Sequence, residues 1–250
     1  MPETYAEQAI ILNRRPFRGY DYSVSAYTRG RGKVQLVAKG ALRPQSKLAS
    51  HLEPLTLVEM MIISGRVATV GGVVSRDCYV HCKEDLDKML LASRATSRAS
   101  SWLREHEADE QIFFLFHDFL HLLNQRRSET SWYQLMGNIF LYKILTHLGY
   151  GLDTDVCQHC GKNIVGTAVF SLHDHGLLCL DCQKGNSTIQ VSRPLQERIK
   201  QYSTESISTV ADIPVYKKDI EPLIKVLEMW IRYMDEELRG HRKTNFVSSL

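Results

Sequence analysis

The sequence lacks a long apolar run, and this absence excludes membrane-spanning proteins from the start. No stretch of the 250 residues approaches the roughly 20 consecutive apolar residues of a transmembrane helix. Residues 9–12 form an apolar run far shorter than the core of a signal peptide, and no small-residue cleavage site follows it. We therefore expect no membrane partner, and we expect the thiols to face a reducing cytoplasm.

A nucleotide-hydrolysing motif is missing as well. The nearest candidate, Gly30-Arg31-Gly32-Lys33, lacks the four-residue gap between its glycines and the Ser or Thr that would hold magnesium. It also stands inside a predicted hairpin rather than before a helix. The stretch therefore predicts a turn and not a loop that cradles the phosphates of a nucleotide.

Cysteine is scarce, yet four of the six cysteines form two Cys-x-x-Cys pairs with eighteen residues between them. Two residues between the sulfurs let a tight turn aim both thiolates at one point, and the segment between the pairs suits a short hairpin with strands at 165–172 and 177–178. The spacing predicts a closed zinc ribbon with one structural Zn²⁺ ion, held by Cys157, Cys160, Cys179 and Cys182. The alternative is a set of free surface thiols or two disulfides.

Charge is divided unevenly along the chain. The first fifty residues hold nine Lys or Arg and three Asp or Glu, a net charge of +6, whereas the whole chain carries +3, which leaves −3 for the rest. A basic N-terminal fifth indicates a polyanion-binding surface, and nucleic acid is the commonest such partner. The alternative is a basic face that contacts only solvent.

Residues 1–80 carry strand signals and almost no helical periodicity. Residues 22–28 and 33–39 alternate on either side of a turn at 30–32, as the strands of a hairpin do. Further strands are predicted at residues 9–13, 55–63 and 67–74. Five short strands with hairpin-type connections suit a small closed barrel, so we predict an OB-fold.

Beyond residue 83 the apolar period becomes helical. Helices are predicted from residue 86 onward and at residues 112–123, 132–148, 194–202 and 222–238. The fold class is therefore α+β and multidomain, with the zinc ribbon inserted between two parts of a helical domain. The predicted domains are an OB-fold nucleic-acid-binding domain at 1–80, the helical domain at 81–152 and 190–250, and the zinc ribbon at 153–189.

A basic OB-like barrel can follow a nucleic-acid backbone while aromatic side chains stack on the bases. The candidate phosphate-binding residues are Lys33, Lys39, Arg43 and Lys47. The candidate stacking residues are Tyr20, Tyr22 and Tyr27.

Several local strings give the chain a resemblance to a known family. They are Gly32-Lys33 in the hairpin, Val37-Ala38-Lys39-Gly40-Ala41-Leu42-Arg43 after it, Cys157-Gln158-His159-Cys160-Gly161, and Phe170-Ser171 ahead of Gly176-Leu177-Leu178-Cys179. Together with the order of barrel, helices, ribbon and helices, they make the chain similar to the bacterial RecO family of DNA repair proteins over nearly its whole length.

The resemblance implies a recombination mediator of the RecF pathway in the bacterial cytoplasm, associated with the nucleoid. Such a protein binds single- and double-stranded DNA and anneals complementary strands. It works with RecR, contacts the single-stranded-DNA-binding protein and helps RecA to load, and it is not an enzyme.

The same resemblance implies a receptor for the C-terminal tail of the single-stranded-DNA-binding protein, which is acidic and ends in Phe. Such a tail needs an apolar pocket rimmed by cations. Because Arg126 and Arg127 directly follow the apolar helix predicted at 112–123, we predict a pocket between that helix and residues 132–148, edged by the two arginines. The alternative is that both arginines only offset the negative end of the helix dipole.

Two other functions stay open from the sequence. Zinc ribbons and OB-folds also occur in proteins that act on RNA or in transcription, where the barrel would bind RNA. A thiol redox sensor that releases zinc on oxidation is the other, although the close packing of thiolates on a metal argues against easy access. Annealing of DNA strands would separate the DNA-repair function from both.

Overall fold

The computed structural model describes residues 3–126, 128–183, 189–215 and 217–247. The chain divides into two compact units, Met1–Arg127 and Ser128–Leu250. The finer division predicted from the sequence, with boundaries near residues 80, 152 and 189, stays a prediction. Within the described part of the chain, no helix combines the length and apolar character that crossing a membrane requires.

Strands β1 to β5 of the first unit form a closed barrel. They are β1 (Thr4–Phe17), β2 (Asp21–Thr28), β3 (Gly32–Ala38), β4 (Thr56–Ile63) and β5 (Thr69–Asp77). Their order around the barrel is β1-β2-β3-β5-β4, and β4 pairs again with β1. The pair β3 and β5 is parallel and the others are antiparallel. This arrangement is OB-like, so the predicted fold class is confirmed.

Strand β1 is longer than its sequence pattern predicted. The prediction placed a short strand at residues 9–13, whereas β1 spans 14 residues. Its first half pairs with β4 and its second half with β2, and the register shifts between Ile11 and Asn13. A strand that closes a barrel must bend from one neighbour to the next, and such an irregularity supplies the bend. The apolar pattern missed the outer end because the side chains from Arg15 to Phe17 are exposed.

Side chains that alternate inward along the strands fill the barrel. On β3, Val34 and Leu36 are buried and pack with Val24 and Val58 of neighbouring strands. The residues between them face outward, as the predicted alternation requires. The outer face of the barrel is therefore set by the same register that forms the core.

Helices α1 (Val80–Glu84), α2 (Leu86–Trp102) and α3 (Glu110–Gln125) follow the barrel. Asp85 and Asp109 precede the two longer helices, and each carboxylate accepts two backbone N–H groups of the first turn. Both are N-caps, and they fix where the helices begin. Helix α3 buries a phenylalanine-rich face, in agreement with the apolar helix predicted at 112–123.

The segment between α2 and α3 lies against the β2–β3 hairpin. The backbone N–H of His106 donates to the carbonyl of Lys33 at 2.9 Å. Gly32 has a φ of +66°, and a Cβ built on it would lie 2.0 Å from the carbonyl oxygen of Glu107. Glycine is required at this crossing both by the backbone conformation and by the close approach.

The second unit combines helices with a small inserted sheet. Its helices are α4 (Thr130–His147), α5 (Arg193–Thr204), α6 (Ile207–Asp212) and α7 (Lys217–Val247). Helix α4 is buried on most sides and packs mainly against α7. Helix α7 begins before Pro222, so the helix predicted at 222–238 starts too late. Pro222 is the sixth residue of α7, beyond the first turn, so it removes one backbone hydrogen bond of the helix.

The inserted sheet has the order β7-β6-β8, formed by β6 (Ala168–Ser171), β7 (Gly176–Leu178) and β8 (Ile189–Val191). The β6–β7 hairpin was predicted, whereas β8 is too short to show a period in the sequence. Phe170 of β6 packs edge-on against Trp230 of α7, with ring centroids 6.4 Å apart. This contact anchors the sheet to the long helix of its own unit.

Candidate nucleic-acid interface and metal centre

The two Cys-x-x-Cys pairs lie together in the second unit. The sulfur atoms of Cys157, Cys160, Cys179 and Cys182, which we call the four-cysteine cluster, all lie within 4.8 Å of one another. The sulfurs of Cys160 and Cys179 are 3.9 Å apart, nearly twice the length of a disulfide bond, about 2.05 Å. At these distances the four cysteines could hold one metal ion.

Two tight turns set the positions of the sulfurs. In the first, the N–H of Gly161 donates to the carbonyl of Cys157 at 2.9 Å, and Gly161 has a φ of +71°. That conformation favours glycine, as expected for the residue after the pair. In the second turn, the N–H of Cys182 donates to the carbonyl of Cys179 at 3.1 Å. The N–H of Gln158 donates to a carbonyl of β7 at 2.9 Å and so joins the two turns.

The thiols of the cluster differ in acidity. Burial disfavours the thiolate of Cys157, but hydrogen bonds from the backbone of Cys160, Cys179 and His159 bring the pKa of this thiol down to about 6. A hydrogen bond with Cys179 and the other nearby thiols raise the pKa of Cys182 to about 12. Cys157 therefore ionises more readily than Cys182, and a bound cation would favour the thiolate form of both.

In the first unit, two loops at one end of the barrel are bonded to each other. The N–H of Leu42 donates to the carbonyl of Tyr20 at 2.8 Å. The N–H of Gly40 donates to the carboxylate of Asp21 at 2.7 Å. The β1–β2 turn and the loop after β3 therefore form one continuous surface.

Arginine and aromatic side chains alternate on this surface. The set, which we call the basic–aromatic surface, is Arg14, Phe17, Arg18, Tyr20, Tyr22 and Arg43. The distances from guanidinium carbon to ring centroid are 5.1 Å for Arg14 and Tyr22, 5.3 Å for Arg18 and Phe17, and 5.9 Å for Arg43 and Tyr20. These are cation–π distances. Tyr20 is 61% exposed and Phe17 is 37% exposed, so both rings are accessible to a ligand.

Three of the four predicted phosphate-binding residues lie at this end of the barrel. Lys39, Arg43 and Lys47 are exposed on the loop that follows β3. Lys33 is the second residue of β3 and is five residues away from Ala38, a span of about 16 Å along an extended chain. The four residues therefore do not form one cluster.

Lys33 also has a role inside the first unit. Its ammonium donates to the carbonyl of Ser100 at 2.7 Å and approaches the carbonyl of Leu103 at 3.5 Å. Both carbonyls lie at the C-terminal end of α2, where a cation stabilises the negative end of the helix dipole. The predicted contact between Lys33 and DNA stays a prediction.

Tyr27 does not offer the stacking face that the sequence suggested. Its side chain is 1% exposed and stacks on Phe116, with ring centroids 5.5 Å apart. Its hydroxyl donates to the carbonyl of Asp109 at 3.3 Å, and burial raises the pKa of Tyr27. The suggestion is wrong because α3 covers this end of β2, and strand alternation alone cannot reveal a covering helix.

Sequence reasoning missed the arginines at the end of β1. Arg14 donates to the carbonyl of Ala49 and lies 3.5 Å from the carboxylate of Glu53, so its guanidinium is held in place. Arg18 occupies the following turn. The run Arg14-Arg15-Pro16-Phe17-Arg18 was the available signal, since it combines three cations and an exposed aromatic ring directly before a glycine.

Arg126 forms the C-cap of α3. Its N–H donates to the carbonyl of Leu122 at 3.1 Å, and its carbonyl accepts a hydrogen bond from the ammonium of Lys88 at 2.6 Å. The side chain of Arg126 is exposed. Arg127 lies outside the described residues. The predicted role of these two arginines in binding a protein tail stays a prediction.

The chain matches two protein-family models: Recombination protein O N terminal at residues 1–69 and Recombination protein O C terminal at residues 83–242. Its relatives include proteins named DNA repair protein RecO. The one from Desulforamulus reducens is 28% identical over 249 residues, which cover 98% of this chain and 94% of the relative. The one from Acetivibrio thermocellus is 23% identical over 92% of this chain and 90% of the relative. The one from Clostridium novyi is 25% identical over 91% and 88%, respectively.

Proposed function

Because the chain belongs to the recombination protein O family, and its function therefore lies in DNA repair and recombination, we propose that it is a mediator of the RecF pathway. In this role it binds single- and double-stranded DNA in the cytoplasm and anneals complementary strands. Together with RecR it helps RecA to load onto DNA that is coated with the single-stranded-DNA-binding protein. It acts by binding and positioning strands rather than by catalysis.

The basic–aromatic surface is the observation that carries the DNA-binding part of this proposal. The exposed rings of Tyr20 and Phe17 can stack on unpaired bases, which is worth about 1–3 kcal/mol per base. Arg18, Arg43 and Lys39 beside them can neutralise the phosphates of the same strand. A duplex offers its phosphates but no free base faces, so it would bind through the cations alone.

The second part of the proposal is that the four-cysteine cluster holds one structural Zn²⁺ ion. Four sulfurs at about 2.3 Å from a tetrahedral zinc ion are about 3.8 Å from each other, close to the 3.9 Å between Cys160 and Cys179. Four protein ligands leave no position for water or substrate. The ion would supply folding free energy by holding the two turns together.

The third part concerns the protein partner. An acidic, apolar tail of the single-stranded-DNA-binding protein would be attracted to the exposed Arg126 and to Arg127. The salt dependence of tail binding tests this placement, because a contact between exposed charges weakens as salt rises. An Arg126→Ala, Arg127→Ala double variant that binds a labelled tail peptide as tightly as the parent protein would place the tail elsewhere.

Fluorescence anisotropy with labelled oligonucleotides over a range of salt concentrations tests the DNA-binding proposal. The Lys39→Ala, Arg43→Ala, Lys47→Ala variant should lower the slope of log K against log salt by about 2 to 3, because each phosphate contact contributes about 0.9 to the slope. The matched control removes three exposed cations of the second unit, Lys162, Lys225 and Arg232, and should leave the slope unchanged. Equal slopes for both variants would place the DNA-binding surface elsewhere.

A strand-annealing assay separates DNA repair from RNA binding. The parent protein should accelerate annealing of complementary DNA strands, and the Lys39→Ala, Arg43→Ala, Lys47→Ala variant should not. Tight binding of RNA without acceleration of DNA annealing would contradict the proposed function.

A further inference from the structure

A polar cavity of about 230 Å³ lies between the outer face of the barrel and helix α2. Strand pairing places its floor in two rows: Asn13, Ser25 and Gln35 face each other across three strands, and Arg15 faces Ser23 in the next row. Helix α2 closes one side with Ser97 and Ser100, which lie one turn apart. The cavity belongs entirely to the first unit.

The charged side chains that line this cavity are positive. Arg15 and Lys33 line it, and no Asp or Glu is among the described residues that do. The Lys33 ammonium donates to the carbonyl of Ser100 at 2.7 Å and is held at the wall of the cavity. The guanidinium of Arg15 is exposed and forms no ion pair with a described residue. A group that enters the cavity is therefore selected for negative charge.

The polar side chains of the cavity are also unused. Within the described parts of the chain, no hydrogen bond joins another residue to the side chains of Asn13, Arg15, Ser23, Ser25, Gln35 or Ser97. Polar groups that converge on one small space and are not consumed by the fold are available to a ligand. Hydroxyl, amide and guanidinium groups are also the ones that proteins use to bind the phosphates of DNA.

We propose that this cavity is a phosphate subsite that holds one backbone phosphate of a bound DNA strand. The choice of phosphate among oxyanions rests on the proposed function. The volume suits the assignment, since a water molecule takes about 30 Å³ and the cavity can hold a phosphate group with several waters. Arg15 supplies the bidentate contact, while the serine hydroxyls and the amides of Asn13 and Gln35 orient the remaining oxygens.

The register of β1 connects the subsite to the basic–aromatic surface. Arg15 and Phe17 lie on the same outward face of the strand, two residues or about 7 Å apart. A strand whose base stacks on Phe17 thus passes beside the mouth of the cavity. A terminal phosphate of DNA or a free phosphate ion has the same chemistry as an internal backbone phosphate. Either one is therefore the alternative ligand of the cavity.

Two variants test the subsite in the full-length protein. Arg15→Gln removes its main cation and should weaken binding of a single-stranded oligonucleotide about tenfold, with a fall of about one unit in the salt slope. Ser97→Leu keeps every charge but fills the cavity from the exposed face of α2, and it should cause a similar loss of affinity. Arg94→Gln is the matched control, because it removes an exposed arginine of α2 that does not line the cavity.

The oligonucleotides are used with and without a 5′-phosphate, and inorganic phosphate is titrated calorimetrically at constant ionic strength. Equal losses for both oligonucleotides support an internal phosphate as the ligand. A loss confined to the phosphorylated oligonucleotide would assign the cavity to a terminal phosphate and overturn the proposal. Binding of inorganic phosphate by the parent protein, with DNA affinity unchanged in Ser97→Leu, would assign the cavity to a free phosphate ion and would also overturn the proposal. Parent-like binding of all three ligands by both Arg15→Gln and Ser97→Leu would remove the subsite altogether.

The outcome is distinguishable from a failure of the proposed function. If the Lys39→Ala, Arg43→Ala, Lys47→Ala variant binds DNA normally while Ser97→Leu does not, the proposed interface fails and the subsite stands. If the reverse holds, the subsite fails and the interface stands. Melting temperatures of all variants within a few degrees of the parent protein exclude unfolding as the cause.

Discussion

The four-cysteine cluster and the basic–aromatic surface are assembled in opposite ways. The cluster consists of two short turns, each closed by a hydrogen bond between near neighbours in the chain. The basic–aromatic surface gathers the end of one strand, a turn and a distant loop, and only the pairing of barrel strands brings them together. The proposed metal ion would therefore hold the cluster together, whereas the surface depends on its scaffold.

This difference predicts that the cluster and the basic–aromatic surface respond separately to substitutions. Loss of a cysteine ligand should unfold part of the second unit and leave DNA binding by the barrel in place. Loss of barrel geometry should weaken DNA binding and leave the metal content unchanged. A variant of one region that changes both the metal content and DNA binding would contradict this difference.

Replacement of Cys157 should have the largest effect. This cysteine is 1% exposed, and on our proposal zinc binding and ordering of the ribbon are one process. Cys157→Ser should therefore remove the zinc and destabilise the second unit by more than about 5 kcal/mol. Elemental analysis gives the metal content, and hydrogen exchange resolved by segment gives the stability of each unit.

The matched control for this change is Cys78→Ser. Cys78 is exposed and lies outside the cluster, so its replacement should keep one zinc per chain and change stability by less than about 0.5 kcal/mol. Stoichiometric zinc and a normal melting temperature in Cys157→Ser would show that the cluster is not held together by metal.

Gly32→Ala should have the next largest effect, this time on the barrel. The new Cβ would meet the carbonyl oxygen of Glu107 at 2.0 Å, and the residue would keep a φ of +66°. Backbone must move to relieve the clash, so we expect a loss of about 3 kcal/mol or more in the first unit. Urea unfolding measures the loss, and the zinc content should not change.

Gly19→Ala separates the clash from the backbone strain. Gly19 has a φ of +64°, nearly that of Gly32, but no heavy atom lies within 4 Å of its Cβ position. Its replacement should cost about 1 kcal/mol from conformation alone. Equal losses of stability at the two glycines would mean that the backbone near Glu107 moves aside without a cost in free energy.

The two regions also differ in how far the sequence could predict them. The four cysteines were found because their spacing encodes the two turns directly, and Gly161 adds a backbone requirement that the structure meets. The OB-like barrel followed from strand alternation between residues 22 and 39. Each of these patterns is local, so the chain displays it without knowledge of the tertiary fold.

The composition of the proposed DNA-binding surface could be predicted only in part, because tertiary contacts decide which side chains are available. Tyr27 and Lys33 have suitable chemistry, but α3 covers the first and the end of α2 engages the second. Arg14 and Arg18 were overlooked because the pattern ended β1 at residue 13. Neither a covering helix nor a strand extended by polar residues leaves a period in the sequence.

Tyr20→Ala should have a smaller effect, limited to one kind of DNA. Tyr20 is 61% exposed, and loss of one stacking platform should weaken binding of single-stranded DNA by about 1–3 kcal/mol. Duplex affinity should stay within about twofold, because paired bases cannot stack on the ring. Tyr27→Phe is the control, since it alters a buried ring without touching the surface. An equal loss for duplex and single strand would assign Tyr20 a scaffold role and not a stacking one.

Lys143 should give the smallest effect, and it tests whether the second unit has a pH-sensitive core that is independent of the proposed zinc. The ammonium of Lys143 is buried and donates to the carbonyl of Glu205. Burial lowers its pKa to about 8, although the charge of Glu205 acts in the opposite direction. In the unfolded chain the pKa is about 10.4. Between these values the unfolded state binds more protons, so stability should rise with pH.

The rise attributable to Lys143 should be about 1 kcal/mol between pH 7.5 and 9, a window that ends before tyrosines of the unfolded chain ionise extensively. The proposed zinc would add its own pH dependence in this range, because metal binding displaces protons from thiols. Urea unfolding of the parent protein and of Lys143→Met, both loaded with zinc, removes this shared contribution by difference. The variant should show the shallower rise. Parallel curves would mean that the lysine titrates alike in the folded and unfolded chains and contributes nothing to the pH response of this unit.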